Sequence, residues 1–174
     1  MRIPVSEAVR QLDERGLIER ERHDHSDKII QRVTELIGRE LPADLIDFYR
    51  ERLARVAGYW TYTPKWNDWV GWHDTDGYVT ALMHTNAIPL LPDGCGSYFG
   101  LDLTPGVETP AVYFFDHCDL YERPHWAAGS SLGAFLVLYG DHDTPKDEWF
   151  DRWELKIDPD IDKCPRARAI WNAD

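Results

Sequence analysis

The sequence predicts an α+β fold in which helices come first, a mostly antiparallel sheet follows and a further helix closes the core. Three observations support this prediction. Apolar residues recur at helical spacing as far as Gly58, short β-rich runs separated by Gly, Pro, Asn and Asp begin near Trp60, and an unbroken apolar run lies at 134–139. Strands that do not alternate with helices are typical of the α+β class.

Capping signals place the first two helices. The first carries an apolar stripe around Ser6, its predicted N-cap, and ends at Gly16. The second follows Ser26, also a predicted cap, and ends at Gly38. The charged segment 19–27 between them predicts a connector that is at most partly helical.

A third helix is predicted to begin near Pro42, which suits a first helical turn, and to continue through Leu53 and Val56 to Gly58. The β-rich runs that follow it predict the sheet. The predicted strands are 59–63, 69–72, 78–83, 88–91, 98–102 and 111–116.

Turn and cap signals organise the rest of the chain. The Asp-Gly pairs at 76–77 and 93–94 predict tight turns. One serine of the pair 130–131 is predicted to cap an apolar helix that ends at Gly140. The alternation at 154–157 predicts a last strand.

Composition limits the classes of function. The chain has 174 residues, of which 43% are hydrophobic. This length and composition predict a single domain that spans residues 1–174. The net charge of −12 argues against sequence-independent binding to nucleic acid or anionic membranes, since both require basic surfaces. Three widely spaced cysteines fit a reducing compartment, and the first residues contain no apolar signal segment. We therefore expect a cytoplasmic protein.

Acidic residues are concentrated in one stretch. From Trp66 to Glu122 the sequence contains nine Asp or Glu residues and no Lys or Arg. A solvated surface and a face shaped for a cationic partner both account for this pattern. The second hypothesis assigns partner binding to a set of acidic residues with aromatic anchors. These residues are Trp66, Trp69, Asp74, Asp76, Asp93, Asp102, Asp116 and Asp119.

A serine hydrolase is the first enzyme hypothesis. The segment 129–133 matches the pattern G-x-S-x-G, with Asp141 and His142 close behind. The residues before Ser131 do not resemble a buried strand, and an adjacent Asp-His pair does not place base and orienting acid separately. We therefore interpret Ser131 as a helix cap and predict no catalytic residue.

A metal-dependent hydrolase is the second enzyme hypothesis. The run Asp116-His117-Cys118 and several other histidines suggest ligands. The sequence nevertheless lacks H-x-x-x-H on a helix, C-x-x-C and any paired Cys/His module. It therefore predicts no metal and no cofactor.

Four segments, in this order, resemble the SUKH superfamily, the Smi/Knr-like domains. They are 41–49 (LPADLIDFY), 88–102 (IPLLPDGCGSYFGLD), 110–117 (PAVYFFDH) and 131–136 (SLGAFL), and they define a core of about 28–140. The resemblance implies a curved, mostly antiparallel sheet packed against helices, flanked here by an N-terminal helical extension and a C-terminal tail. It also implies that Ser131 begins a helix.

The resemblance implies a protein-binding module and not an enzyme. Bacterial members are commonly immunity proteins that neutralise toxins, and fungal relatives regulate cell-wall synthesis. We expect an immunity protein whose acidic surface binds a cognate toxin, for example a nuclease with a basic cleft. The alternative is a regulatory or scaffold module in cell-wall synthesis or signalling, which would share the fold and differ in its partner.

Overall fold

The structure, a computed structural model, describes residues 2–61, 86–120, 122–141 and 154–164. Within these ranges five α-helices and two antiparallel sheets are present, and the predicted α+β class with helices first is confirmed. The helices are α1 (Val5–Glu14), α2 (Ser26–Ile37), α3 (Ala43–Arg50), α4 (Leu132–Gly140) and α5 (Glu154–Ile157). The strands are β1 (Ile18–Arg20), β2 (Leu53–Val56), β3 (Tyr59–Trp60), β4 (Ala87–Pro92), β5 (Tyr98–Asp102), β6 (Val112–Phe115) and β7 (Trp126–Gly129).

The first two helices form where they were predicted, but with different caps. Ser6 is an exposed residue inside α1, so its prediction as the N-cap was wrong. Ser26 is the first residue of α2, and its N–H and hydroxyl donate to the Asp24 carboxylate over 3.0 and 2.6 Å. The predicted ends are confirmed, because Gly16 and Gly38 both have positive φ, 68° and 72°.

The predicted third helix is too long. The observed helix, α3, ends at Arg50, and Arg52 adopts a left-handed conformation with a φ of 54° before the chain enters β2. Ala57 and Gly58, with φ of 48° and 83°, then form the two-residue turn between β2 and β3, as in a type I′ hairpin. Gly58 is therefore a turn residue and not a helix end.

A strand within the polar connector completes the small sheet. Residues 18–20 form β1 and pair antiparallel with β2, so the sheet order is β1-β2-β3. Charged residues in this short strand hide the alternation that would have predicted it.

The four-stranded sheet follows the chain in the order β4-β5-β6-β7, with every neighbouring pair antiparallel. The predictions at 88–91, 98–102 and 111–116 are confirmed by β4, β5 and β6. β7 was not predicted, and 154–157 forms a short helix where a strand was expected. The predicted strands at 69–72 and 78–83, and the turn at 76–77, lie outside the described residues.

Helix α4 is the centre of the core, because all nine of its residues are buried. Phe135 and Tyr139 contact the ring of Phe99 on β5, with ring centroids 5.2 and 5.6 Å apart. On the side of α1, a Cβ at Gly133 would lie 2.0 Å from the carbonyl oxygen of Ile3. The helix therefore packs against both the four-stranded sheet and the segment that leads into α1.

Gly133→Ala should destabilise the fold, although alanine favours a helix more than glycine does. The added methyl group overlaps backbone atoms, so we expect the free energy of unfolding to fall by about 1–3 kcal/mol. Urea unfolding measures this change. Ser6→Ala on the exposed face of α1 is the control and should stay within about 0.5 kcal/mol of the wild type. A Gly133→Ala protein as stable as the wild type would contradict the close packing.

Candidate functional site

Two connections leave the four-stranded sheet at the same edge. The turn 93–97 joins β4 to β5, and residues 116–125 join β6 to β7. The pairs Pro92–Tyr98 and Tyr98–Phe115 bring these connections together. We call the described residues 93–97, 116–120 and 122–125 the acidic loop end, since they contain four acidic side chains and one Arg.

Asp93 organises the first of these connections. Its Oδ1 accepts the N–H groups of Cys95 and Ser97 at 2.7 and 2.9 Å. Gly94 has a φ of 85°, and a Cβ there would lie 2.7 Å from the ring of Tyr59. The Asp-Gly turn signal is thus confirmed, and the carboxylate has a structural role in addition to its charge.

Asp116 organises the second connection in the same way. Its Oδ1 accepts the N–H of Cys118 at 2.8 Å and the hydroxyl of Ser97 at 3.4 Å. The bond from the Cys118 N–H lowers the pKa of Asp116 below its ordinary value, so this carboxylate is ionised at neutral pH. Ser97, which is buried, therefore links the two connections.

Beyond Asp116 the chain makes a 3₁₀ turn over His117–Asp119 and then exposes a large apolar side chain. Asp119 lies 2.6 Å from Nε2 of His125, which fixes the start of β7 against the turn. Leu120 follows with a φ of 56° and is 70% exposed. An apolar side chain held out among acidic groups can contact a partner protein.

The structure brings together three of the predicted partner-binding residues, Asp93, Asp116 and Asp119. Asp102 ends β5 and therefore lies at the opposite edge of the sheet, where it is 9% exposed. Its Oδ1 accepts the N–H and hydroxyl of Thr104 at 2.9 and 2.6 Å. The other four predicted residues, Trp66, Trp69, Asp74 and Asp76, lie outside the described residues.

A cleft of about 320 Å³ lies at this opposite edge. Arg2, Asp102, Ser130 and Lys163 are among the residues that line it. Charges of both signs are present, so the cleft does not continue the acidic surface.

Strand β7 precedes Ser131 and helix α4 follows it, so this region has the strand–turn–helix order of a nucleophile elbow. The sequence had not predicted the strand. Ser131 is nevertheless only 1% exposed, and its hydroxyl accepts the N–H of Ala134 at 3.3 Å. The prediction of Ser131 as a helix cap is therefore confirmed. Asp141 forms an ion pair with Arg15, and His142 lies outside the described residues.

Sequence reasoning did not identify Ser97, Leu120 and His125 as parts of this site. Ser97 and His125 act through hydrogen bonds across a turn, which a linear pattern does not reveal. Leu120 carried a signal, since it follows Asp119 and has charged or polar residues (Asp116, His117 and Arg123) at helix spacing.

The fold defines a class, an α+β domain with helices first and an acidic loop end on its larger sheet. The chain belongs to the SMI1 / KNR4 family (SUKH-1), whose family model matches residues 25–136. This family is known for immunity proteins and cell-wall regulators, and its domains are generally protein-binding and not catalytic. Neither the curated proteins nor the solved structures contain a significant match. Across the described residues, no helix has the length and apolar character needed to span a bilayer.

Asp93→Ala should lower the free energy of unfolding by about 1 kcal/mol, because two backbone N–H groups lose their acceptor. Asp93→Asn keeps an oxygen in the same place and should cost less. Chemical unfolding of both variants measures the difference. Equal losses would mean that the negative charge, and not the two hydrogen bonds, makes the contribution.

Proposed function

We propose that this chain is a cytoplasmic immunity-type protein that binds and neutralises a cognate toxin through its acidic loop end. Membership of the SMI1 / KNR4 family supports a protein-binding role. The observation that favours this surface is the exposed Leu120 between Asp119 and Glu122 at one edge of the four-stranded sheet. Such a surface suits a partner with a basic face around an apolar recess.

A nuclease-type toxin fits this chemistry. An enzyme that cleaves nucleic acid needs basic residues to hold the phosphate backbone. An acidic protein surface can occupy that cleft in place of the phosphates, and charge attraction also accelerates association. Blocking the cleft neutralises the toxin without any chemical step.

The acidic loop end is organised before the partner arrives. Asp93 and Asp116 hold their own turns through backbone N–H groups, so their charges are fixed in position. A surface that is already ordered loses less conformational entropy on binding. Asp102, on the opposite edge, would have to serve a second contact area.

A non-enzymatic role is supported at Ser131, the candidate nucleophile of a serine hydrolase. Ser131 is buried as a helix cap. The three cysteines are free, and this supports a reducing cytoplasm.

Leu120→Ala and Glu122→Lys should both weaken toxin binding, for different reasons. Loss of a central apolar contact should accelerate dissociation and raise Kd about tenfold. Charge reversal at the exposed Glu122 should slow association, and the effect should shrink at high salt. Surface plasmon resonance at two salt concentrations separates the two rates, with the toxin obtained by affinity capture of the tagged chain from its own cells.

Glu108→Lys is the matched control, since it makes the same charge change at an exposed position in the β5–β6 connection. It should leave both rates close to those of the wild type. If all three variants bind like the wild type, the acidic loop end is not the contact surface. Capture of an envelope or signalling protein in place of a toxin would favour the regulatory alternative.

A further inference from the structure

Three potential metal ligands come together at the acidic loop end. One donor atom each from Asp116, His117 and Cys118 lies within 4.8 Å of the other two. His117 and Cys118 are exposed, and Asp116 is half-buried. The chain turns sharply over His117–Asp119, and this brings consecutive residues into one cluster. Sequence spacing rules, which describe ligands separated along the chain, therefore predicted no metal here.

The distance between the sulfur and the imidazole fits zinc. Sγ of Cys118 lies 3.6 Å from Nε2 of His117. In a tetrahedral site with Zn–S of about 2.3 Å and Zn–N of about 2.0–2.1 Å, these two atoms are about 3.6 Å apart. The two donor atoms are therefore at the separation that one shared zinc ion requires.

The imidazole is held in the orientation that such a site requires. Nδ1 of His117 lies 3.0 Å from Oγ of Ser97 and 3.3 Å from Oδ1 of Asp116. With the proton on Nδ1, the Ser97 oxygen accepts it, and Nε2, on the side of Cys118, is left without a proton. Histidine ligands in zinc sites are typically oriented by this kind of hydrogen bond on the second ring nitrogen.

We propose that Asp116, His117 and Cys118 form a binding site for a thiophilic divalent cation, Zn²⁺. A thiolate and a carboxylate balance the two positive charges of the ion, and the imidazole completes a set of donors that zinc prefers. Three protein ligands leave the fourth position open to solvent or to a donor from another molecule. Ser97 is a positioning residue that orients His117. Cation binding at this site does not require that the chain bind a toxin.

The test is a titration of the reduced, full-length chain with Zn²⁺ by calorimetry and with Co²⁺ by absorption spectroscopy. We expect one ion per chain and, with Co²⁺, a thiolate-to-cobalt charge-transfer band in the near ultraviolet. Cys118→Ser should remove the band, and both Cys118→Ser and His117→Gln should weaken Zn²⁺ binding more than tenfold. Ser97→Ala removes no ligand and should weaken binding about tenfold, as outer-shell changes do.

Cys95→Ser is the matched control. Cys95 is also an exposed cysteine of the acidic loop end, but it is not one of the three clustered ligands. This variant should bind Zn²⁺ as the wild type does and should keep the Co²⁺ band. The proposal fails if the wild type binds no stoichiometric Zn²⁺. It also fails if Cys118→Ser binds as tightly as the wild type, or if Cys95→Ser abolishes the band. Circular dichroism of each variant checks that the fold is retained.

Discussion

The core is built around helix α4, which is buried on all its sides. A nine-residue helix without an exposed residue cannot form alone in water, so other elements must cover it. The four-stranded sheet covers one side through Phe99, and the start of α1 reaches another side over Gly133. Gly129 allows the turn from β7 into α4, since a Cβ there would lie 2.6 Å from Phe135. The sheet that results carries both connections of the acidic loop end.

The acidic residues of this loop end have two roles that do not compete. Asp93 and Asp116 each accept backbone N–H groups and thereby determine the shape of a turn. The bond from the Cys118 N–H lowers the pKa of Asp116, so a group that shapes the surface also gives it negative charge. The same arrangement places Ser97 beside His117. Partner binding and cation binding are therefore both proposed for the same edge of the sheet.

The sequence predicted the fold class, three strands of the large sheet and the cap of α4, because each has a strong local signal. It could not separate a helix end from a hairpin turn at Gly58, since glycine suits both and Leu53 and Val56 continue the helical spacing. β7 was missed because its sequence, Trp-Ala-Ala-Gly, has a low strand propensity and is held in the sheet by pairing with β6. At the acidic loop end, the sequence predicted the acidic residues. It did not predict the contacts across turns that position Ser97, His117 and Cys118.

Hydrogen exchange of the backbone amides, measured on the chain alone and in complex with its captured partner, tests whether the acidic loop end is the binding surface. Binding should slow exchange in peptides covering 93–97 and 116–125. Exchange in the β5–β6 connection, residues 103–111, should stay unchanged, since it lies at the opposite edge of the sheet. Protection confined to residues 103–111 or to α2 would contradict the assignment of the acidic loop end as the binding surface.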